Sequence, residues 1–155
     1  MKVKDILRQK GSDVVKIEVD RTIHDAICKL NEYGIGSLVV TDDSGDICGI
    51  ITERDILRHC GEICVRLTQP LQQEGNACPA LVRDAMTKDV VIGMRHDDLS
   101  YVRGIMTRNR VRHLPILEQG ELVGIISIGD VVNAHVEETD FENHMLKDYV
   151  QGVSH

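Results

Sequence analysis

The phrase Gly49-Ile50-Ile51-Thr52-Glu53-Arg54-Asp55 returns as Gly124-Ile125-Ile126-Ser127-Ile128-Gly129-Asp130. This duplication constrains the fold more than any other feature of the chain, because the residues around each copy also correspond. Val3-Lys4-Asp5-Ile6-Leu7 matches Val82-Arg83-Asp84-Ala85-Met86. Short extended stretches follow, Val14 to Val19 and Val90 to Met94. In the first, Val15, Ile17 and Val19 alternate with Lys16 and Glu18, as in a half-exposed strand.

A helix comes next in each copy. Thr22 and Asp25 have capping-box spacing, and Ile23, Ala26, Ile27, Leu30 and Tyr33 form an apolar stripe. In the second copy Asp97 or Asp98 supplies the cap, and Leu99, Val102 and Met106 the stripe. Then Ser37–Thr41 leads through Asp42–Asp46 to Ile47–Ile51, and His113–Leu117 through Glu118–Glu121 to Leu122–Ile126. Gly and Asp between β-branched runs signal hairpins. Pro115, which has no N–H, is expected at a strand start or edge. Final helices begin near Thr52 and Ser127.

The order predicts an α+β fold of two pseudo-symmetric repeats, each roughly β-α-β-β-α. Neither repeat alone buries both its sheet and its helices, so the two are expected to share a core. The expected organisation is a first repeat at 1–60, an inter-repeat segment at 61–80 that is partly helical, a second repeat at 81–135, and an amphipathic tail at 136–155. Phe141, Met145 and Tyr149 lie at helical spacing in that tail, which predicts a helix packed on a partner or on the main body.

Three Tyr, one Phe and no Trp leave aliphatic packing to build the core. The net charge of −7 argues against nucleic acid and acidic membranes. With no bilayer-length apolar run and no signal peptide, a soluble cytoplasmic protein is expected. Five cysteines, an odd and irregularly spaced set, fit a reducing compartment. His59, Cys60 and Cys64 share a helical face but do not complete a four-ligand zinc site.

Thr52 with Asp55, and Ser127 with Asp130, also have capping-box spacing, and capping alone explains either copy. The same geometry suits a polyol and an anion. A helix start presents unpaired N–H groups to phosphate, and a carboxylate on its rim accepts from adjacent ribose hydroxyls. Arg54 lies within the first phrase, while Arg108, Arg110, Arg112 and His113 precede the second hairpin. A guanidinium grips phosphate through its planar fork. Of the second group, Arg112 and His113 stand at the strand start, and Arg108 and Arg110 suit a solvated helix face.

These two passages, each with its helix and hairpin, resemble the cystathionine β-synthase (CBS) domain family in its tandem form, the Bateman module. The resemblance covers nearly all of residues 1–135. It implies two ligand sites, in clefts between the repeats, that take adenosine derivatives. Asp55 and Asp130 match the ribose-binding carboxylate, with Thr52 and Ser127 as hydroxyl partners. Asp13, Val14, Asp89 and Val90 match segments flanking the base, beside Gly36, Ser37, Arg112 and His113. Arg54, Arg112 and His113 are then placed to receive phosphate. The implied ligand is AMP, or else ATP, NAD or S-adenosylmethionine, and the implied assembly is a homodimer.

The histidines form no cluster with a nucleophile, and Asp42-Asp43 and Asp97-Asp98 are explained by loop solvation or capping rather than acid–base chemistry. Dinucleotide and P-loop fingerprints are absent from the sequence. The reading is a stand-alone regulatory module without catalysis, catalytic residues or a metal. It acts through its own conformation or oligomer, or on a regulated protein. The rival is a ligand-free dimerisation or protein-interaction module.

Overall fold

The computed structural model describes the backbone of residues 1–67 and 80–152, and the side chains of 1–62 and 80–152. Most of the expected inter-repeat segment, with Cys78 and the side chain of Cys64, lies outside the described residues. The elements run α1 (Val3–Lys10), β1 (Lys16–Glu18), α2 (Ile23–Tyr33), β2 (Ser37–Thr41), β3 (Ile47–Thr52), α3 (Glu53–Leu67), α4 (Val82–Ala85), β4 (Gly93–Met94), α5 (Leu99–Asn109), β5 (His113–Glu118), β6 (Glu121–Ser127) and α6 (Ile128–Gly152). The chain thus writes β-α-β-β-α twice, each time after a short helix.

The spatial units are offset from the sequence repeats. A central unit holds Val14–Val90, and a terminal unit holds Met1–Asp13 together with Val91–His155. Helix α1, at the start of the first repeat, therefore belongs to the unit that holds the strands of the second. Helix α4, at the start of the second repeat, belongs to the unit that holds the strands of the first. Two clusters of buried side chains among the described residues follow this division. Ile17, Ile23, Ala26, Leu30, Leu38, Val40, Ile51, Ile56 and Val82 cluster in the central unit. Val3, Ile6 and Leu7 of α1 join Leu99, Val102, Met106, Leu114, Ile116, Ile126 and Val131 in the terminal one. The apolar residues of each short helix complete a core from outside its own repeat.

Each unit has a three-stranded sheet, ordered β1-β2-β3 or β4-β5-β6, with the first pair parallel and the second antiparallel. The cross-strand pairs Leu38↔Ile51 and Leu114↔Ile126 are fully buried. Burial of such side chains contributes about 1.5–3 kcal/mol each, which fixes the register. Because side chains alternate, the adjacent pairs Ser37↔Thr52 and His113↔Ser127 face the other way. Core packing thereby sets the direction of the Thr52 and Ser127 hydroxyls.

Pro115 is not at an edge or a strand start: it is buried within the central strand β5, opposite Ile125. At the matching place in the central unit, Val39 donates to Val15 on the β1 side. Pro115 cannot make that bond, and β4 pairs with β5 only at Ile116 and Leu117. The missing donor falls where the ladder is already short.

Thr22 forms the predicted capping box, with Asp25 N–H donating to Thr22 Oγ1 and Thr22 N–H to Asp25 Oδ2 at 3.1 Å each. In the second copy Asp98 is the cap residue but its side chain makes no cap bond. Asp97 instead accepts from Met94 N–H at 2.8 Å. Helix α6 runs unbroken from the second phrase through the tail, since no Gly or Pro interrupts Asp130 to Gln151. The tail is helical as predicted and its Glu138 pairs with the N-terminal ammonium at 3.0 Å, but Phe141, Met145, Leu146, Tyr149 and Val150 are exposed.

Candidate functional site

In the central unit Asp55 sits at the first turn of α3 and is buried, 6% exposed. Its Oδ2 accepts from Thr52 N–H at 2.9 Å and from the Thr52 hydroxyl at 3.0 Å. Asp55 N–H lies 3.3 Å from Thr52 Oγ1, closing the capping box. Its other oxygen, Oδ1, accepts from the Thr87 hydroxyl at 3.2 Å and has Arg58 Nη1 at 3.8 Å. Glu53 N–H, next in the helix start, donates to the Gly36 carbonyl at 3.1 Å.

The terminal unit repeats the capping box with a different remote donor. Ser127 N–H donates to Asp130 Oδ2 at 2.7 Å, and Asp130 N–H to Ser127 Oγ at 3.2 Å. Ile128 N–H donates to the Arg112 carbonyl at 2.8 Å, as Glu53 does to Gly36. In place of a threonine hydroxyl, the Lys10 ammonium meets Asp130 Oδ2 at 2.6 Å and the Ile125 carbonyl at 3.2 Å. Burial raises the Asp130 pKa, but the Lys10 hydrogen bond, the Ser127 N–H and the nearby ammonium charge together outweigh it and hold the carboxyl below its ordinary value.

Capping is therefore real at both phrases. Asp5, Asp25 and Asp84 likewise accept from the backbone N–H three residues earlier. Asp55 and Asp130 differ from these three in also receiving a side-chain donor from a remote segment, Thr87 or Lys10.

The glycine of each phrase explains how that segment gets so close. A Cβ on Gly49 would fall 2.7 Å from Met86 Sδ and 3.0 Å from the Thr87 carbonyl oxygen. One on Gly124 would fall 2.6 Å from Leu7 Cδ2. At Gly49 the missing side chain lets the backbone after α4 approach, whereas at Gly124 the crowding is with the Leu7 side chain of α1. The repeated phrase thus combines a close-approach glycine, two core aliphatics and a capped carboxylate.

The structure brings Gly36, Ser37, Thr52 and Asp55 together in the central unit, and Arg112, His113, Ser127 and Asp130 in the terminal unit. Arg54 and Arg112 have exposed side chains. Arg58, rather than Arg54, is the arginine that reaches Asp55. Asp13 and Asp89 are exposed, and Val14 and Val90 half-buried, at the two places where the chain passes from one unit to the other. Sequence reasoning missed Lys10, Arg58 and Thr87. Lys10 and Thr87 follow the matched segments Val3–Leu7 and Val82–Met86, so their placement beside the phrases was signalled only by that match.

Among the described residues no group of three or more His, Cys, Asp or Glu is placed to hold a metal ion. Among them, too, no helix is long and apolar enough to cross a membrane.

The CBS domain family model matches residues 3–62 and 82–137, and the chain belongs to that family. It is 30% identical to a mitochondrial CBS-domain-containing protein of Arabidopsis thaliana, over 97% of this chain and 72% of that protein. A crystal structure of a CBS-domain-containing protein from Agrobacterium tumefaciens is 40% identical and has a TM-score of 0.75, covering 87% of this chain and 99% of the other. The CBS domain pair of protein MJ0100, solved in complex with 5′-methylthioadenosine and S-adenosyl-L-methionine, has a TM-score of 0.73 at 20% identity and covers 89% and 98%. At that identity the likeness is one of fold.

Proposed function

We propose that the chain is a regulatory module that binds adenosine-containing ligands, one beside Asp55 and one beside Asp130, and has no catalytic role. The observation that carries this reading is the pair of helix-start carboxylates, each joined by a remote side-chain donor and flanked by a strand-start residue on the same face. Adjacent ribose hydroxyls suit a carboxylate with two acceptor oxygens, and Thr52 and Ser127 add a hydroxyl beside each. Arg54, Arg112 and His113 supply the phosphate contacts, and the segments around Asp13-Val14 and Asp89-Val90 flank the base. AMP is the ligand of first choice, with ATP, NAD and S-adenosylmethionine as alternatives. The adenosine compounds bound to MJ0100 support the ligand class through the shared fold.

Regulation follows if the ligand binds one arrangement of the chain or its dimer better than another. A groove of about 390 Å³ between α2 and α3, lined by Ile27, Leu30, Ile35, Ile56, Leu57 and Cys60, offers a dimer contact.

The rival is a dimerisation module that binds no ligand. It draws support from the protein bonds that already engage both Asp55 oxygens. Native mass spectrometry of protein purified without denaturation separates the two. A dimer carrying an adenosine-sized mass supports the proposal, and a dimer that gains no mass on adding AMP, ATP, NAD or S-adenosylmethionine supports the rival.

A further inference from the structure

The remote donor to the helix-start carboxylate is neutral in the central unit and cationic in the terminal one. In the central unit Thr87 supplies two neutral donors: its N–H to the Ile50 carbonyl at 2.8 Å and its hydroxyl to Asp55 at 3.2 Å. In the terminal unit Lys10 Nζ alone makes both bonds, to the Ile125 carbonyl and to Asp130. Ile125 corresponds to Ile50 in the repeated phrase, so the ammonium stands in for an amide and a hydroxyl.

From this we infer that Lys10 makes the terminal site selective for adenosine ligands that carry phosphate over neutral adenosine. The inference rests on the reading that Asp130 receives ribose. Lys10 and the Ser127 N–H both donate to Asp130 Oδ2, so adjacent ribose hydroxyls that engage both carboxylate oxygens compete with Lys10 there. The displaced ammonium, left with the Ile125 carbonyl, needs another anion. A phosphate on the ligand provides one within reach of the flexible lysine stem, through a charge-assisted bond. Adenosine breaks the Lys10–Asp130 pair and returns nothing to the lysine. In the central site the remote donor is a threonine, and the cation beside Asp55, Arg58, comes from the same helix, stands 3.8 Å away and has a mostly exposed side chain.

Lys10 is thus a specificity-determining residue, and its removal has effects of opposite sign. In Lys10→Met, AMP loses a charged partner while adenosine loses a competitor. The test is an NMR titration of each ligand into wild type and Lys10→Met, scored on the Ser127 and Ile128 amides so that only the terminal site is read. AMP affinity is expected to fall about tenfold or more, and adenosine affinity to rise severalfold. Lys10→Gln, which keeps a neutral donor, should show the same fall for AMP and guards against a misfolded methionine variant. Parallel changes for both ligands, or no change, overturn the inference while leaving adenosine binding intact. No response of these amides to either ligand in wild type overturns the reading on which it rests.

Discussion

Thr87 donates its hydroxyl to Asp55 across 3.2 Å, joining the segment after α4 to the helix start of the first repeated phrase. Asp55 is buried, so the bond is shielded from water. Thr87→Val keeps the shape and removes the donor. A bond to a charged group contributes about 1.5–3 kcal/mol, and Arg58 nearby offsets part of the loss. The expected destabilisation is about 1–2 kcal/mol by urea unfolding. A change below about 0.5 kcal/mol would deny the bond its role.

The two phrase glycines should tolerate alanine unequally. At Gly49 the new methyl meets the Thr87 backbone oxygen as well as Met86, and backbone moves reluctantly. At Gly124 it meets only the Leu7 side chain, which has rotamers available. Overpacking costs about 1–3 kcal/mol, with Gly49→Ala expected near the top of that range and Gly124→Ala near the bottom. Thermal unfolding of both variants checks the order, and the reverse order would count against the packing described.

Acid stability should depend on Asp130. Its folded-state pKa is lowered from 3.8, so it contributes stability that is fully present above that value. The contribution is lost as pH falls through the lower folded value, because the unfolded chain takes up the proton first. Asp130→Asn removes the titrating group. Between pH 5 and about pH 3 the wild type should lose more stability than this variant. Equal acid slopes in urea titrations would contradict the Lys10–Asp130 pair.

Leu57 is 74% exposed at the α2–α3 groove. A charge there should be incompatible with burial against a second copy. Sedimentation should find a dimer for wild type and a monomer for Leu57→Glu. A wild-type monomer, or an unaffected dimer, would remove this groove as the contact.

Strands and helix starts were legible because they rest on local signals. Alternation at Val15, Ile17 and Val19 marks β1, and Thr22 with Asp25 marks α2. The destination of α1 and α4 was not legible: Val3, Ile6 and Leu7 show that a helix buries one face, but not in which repeat. The same gap hid Lys10, whose partner Asp130 lies 120 residues away. It also hid Thr87, 32 residues from Asp55. Pro115 misled because its cost depends on a neighbouring strand, and β4 is too short to impose one. Arg54 stood out for lying inside the phrase, while Arg58, one helical turn beyond Asp55 and so within reach of its carboxylate, carried no such signal.

Asp55 and Asp130 are the proposed ribose acceptors, and calorimetry of ligand-stripped protein with AMP tests this most directly. Wild type should show saturable binding. Asp130→Asn should weaken the component assigned to the terminal unit, and Asp55→Asn the one assigned to the central unit. In each case a neutral amide with one acceptor oxygen replaces a charged group with two. Folded wild type that binds none of AMP, ATP, NAD and S-adenosylmethionine would contradict the account and leave these carboxylates as helix caps alone.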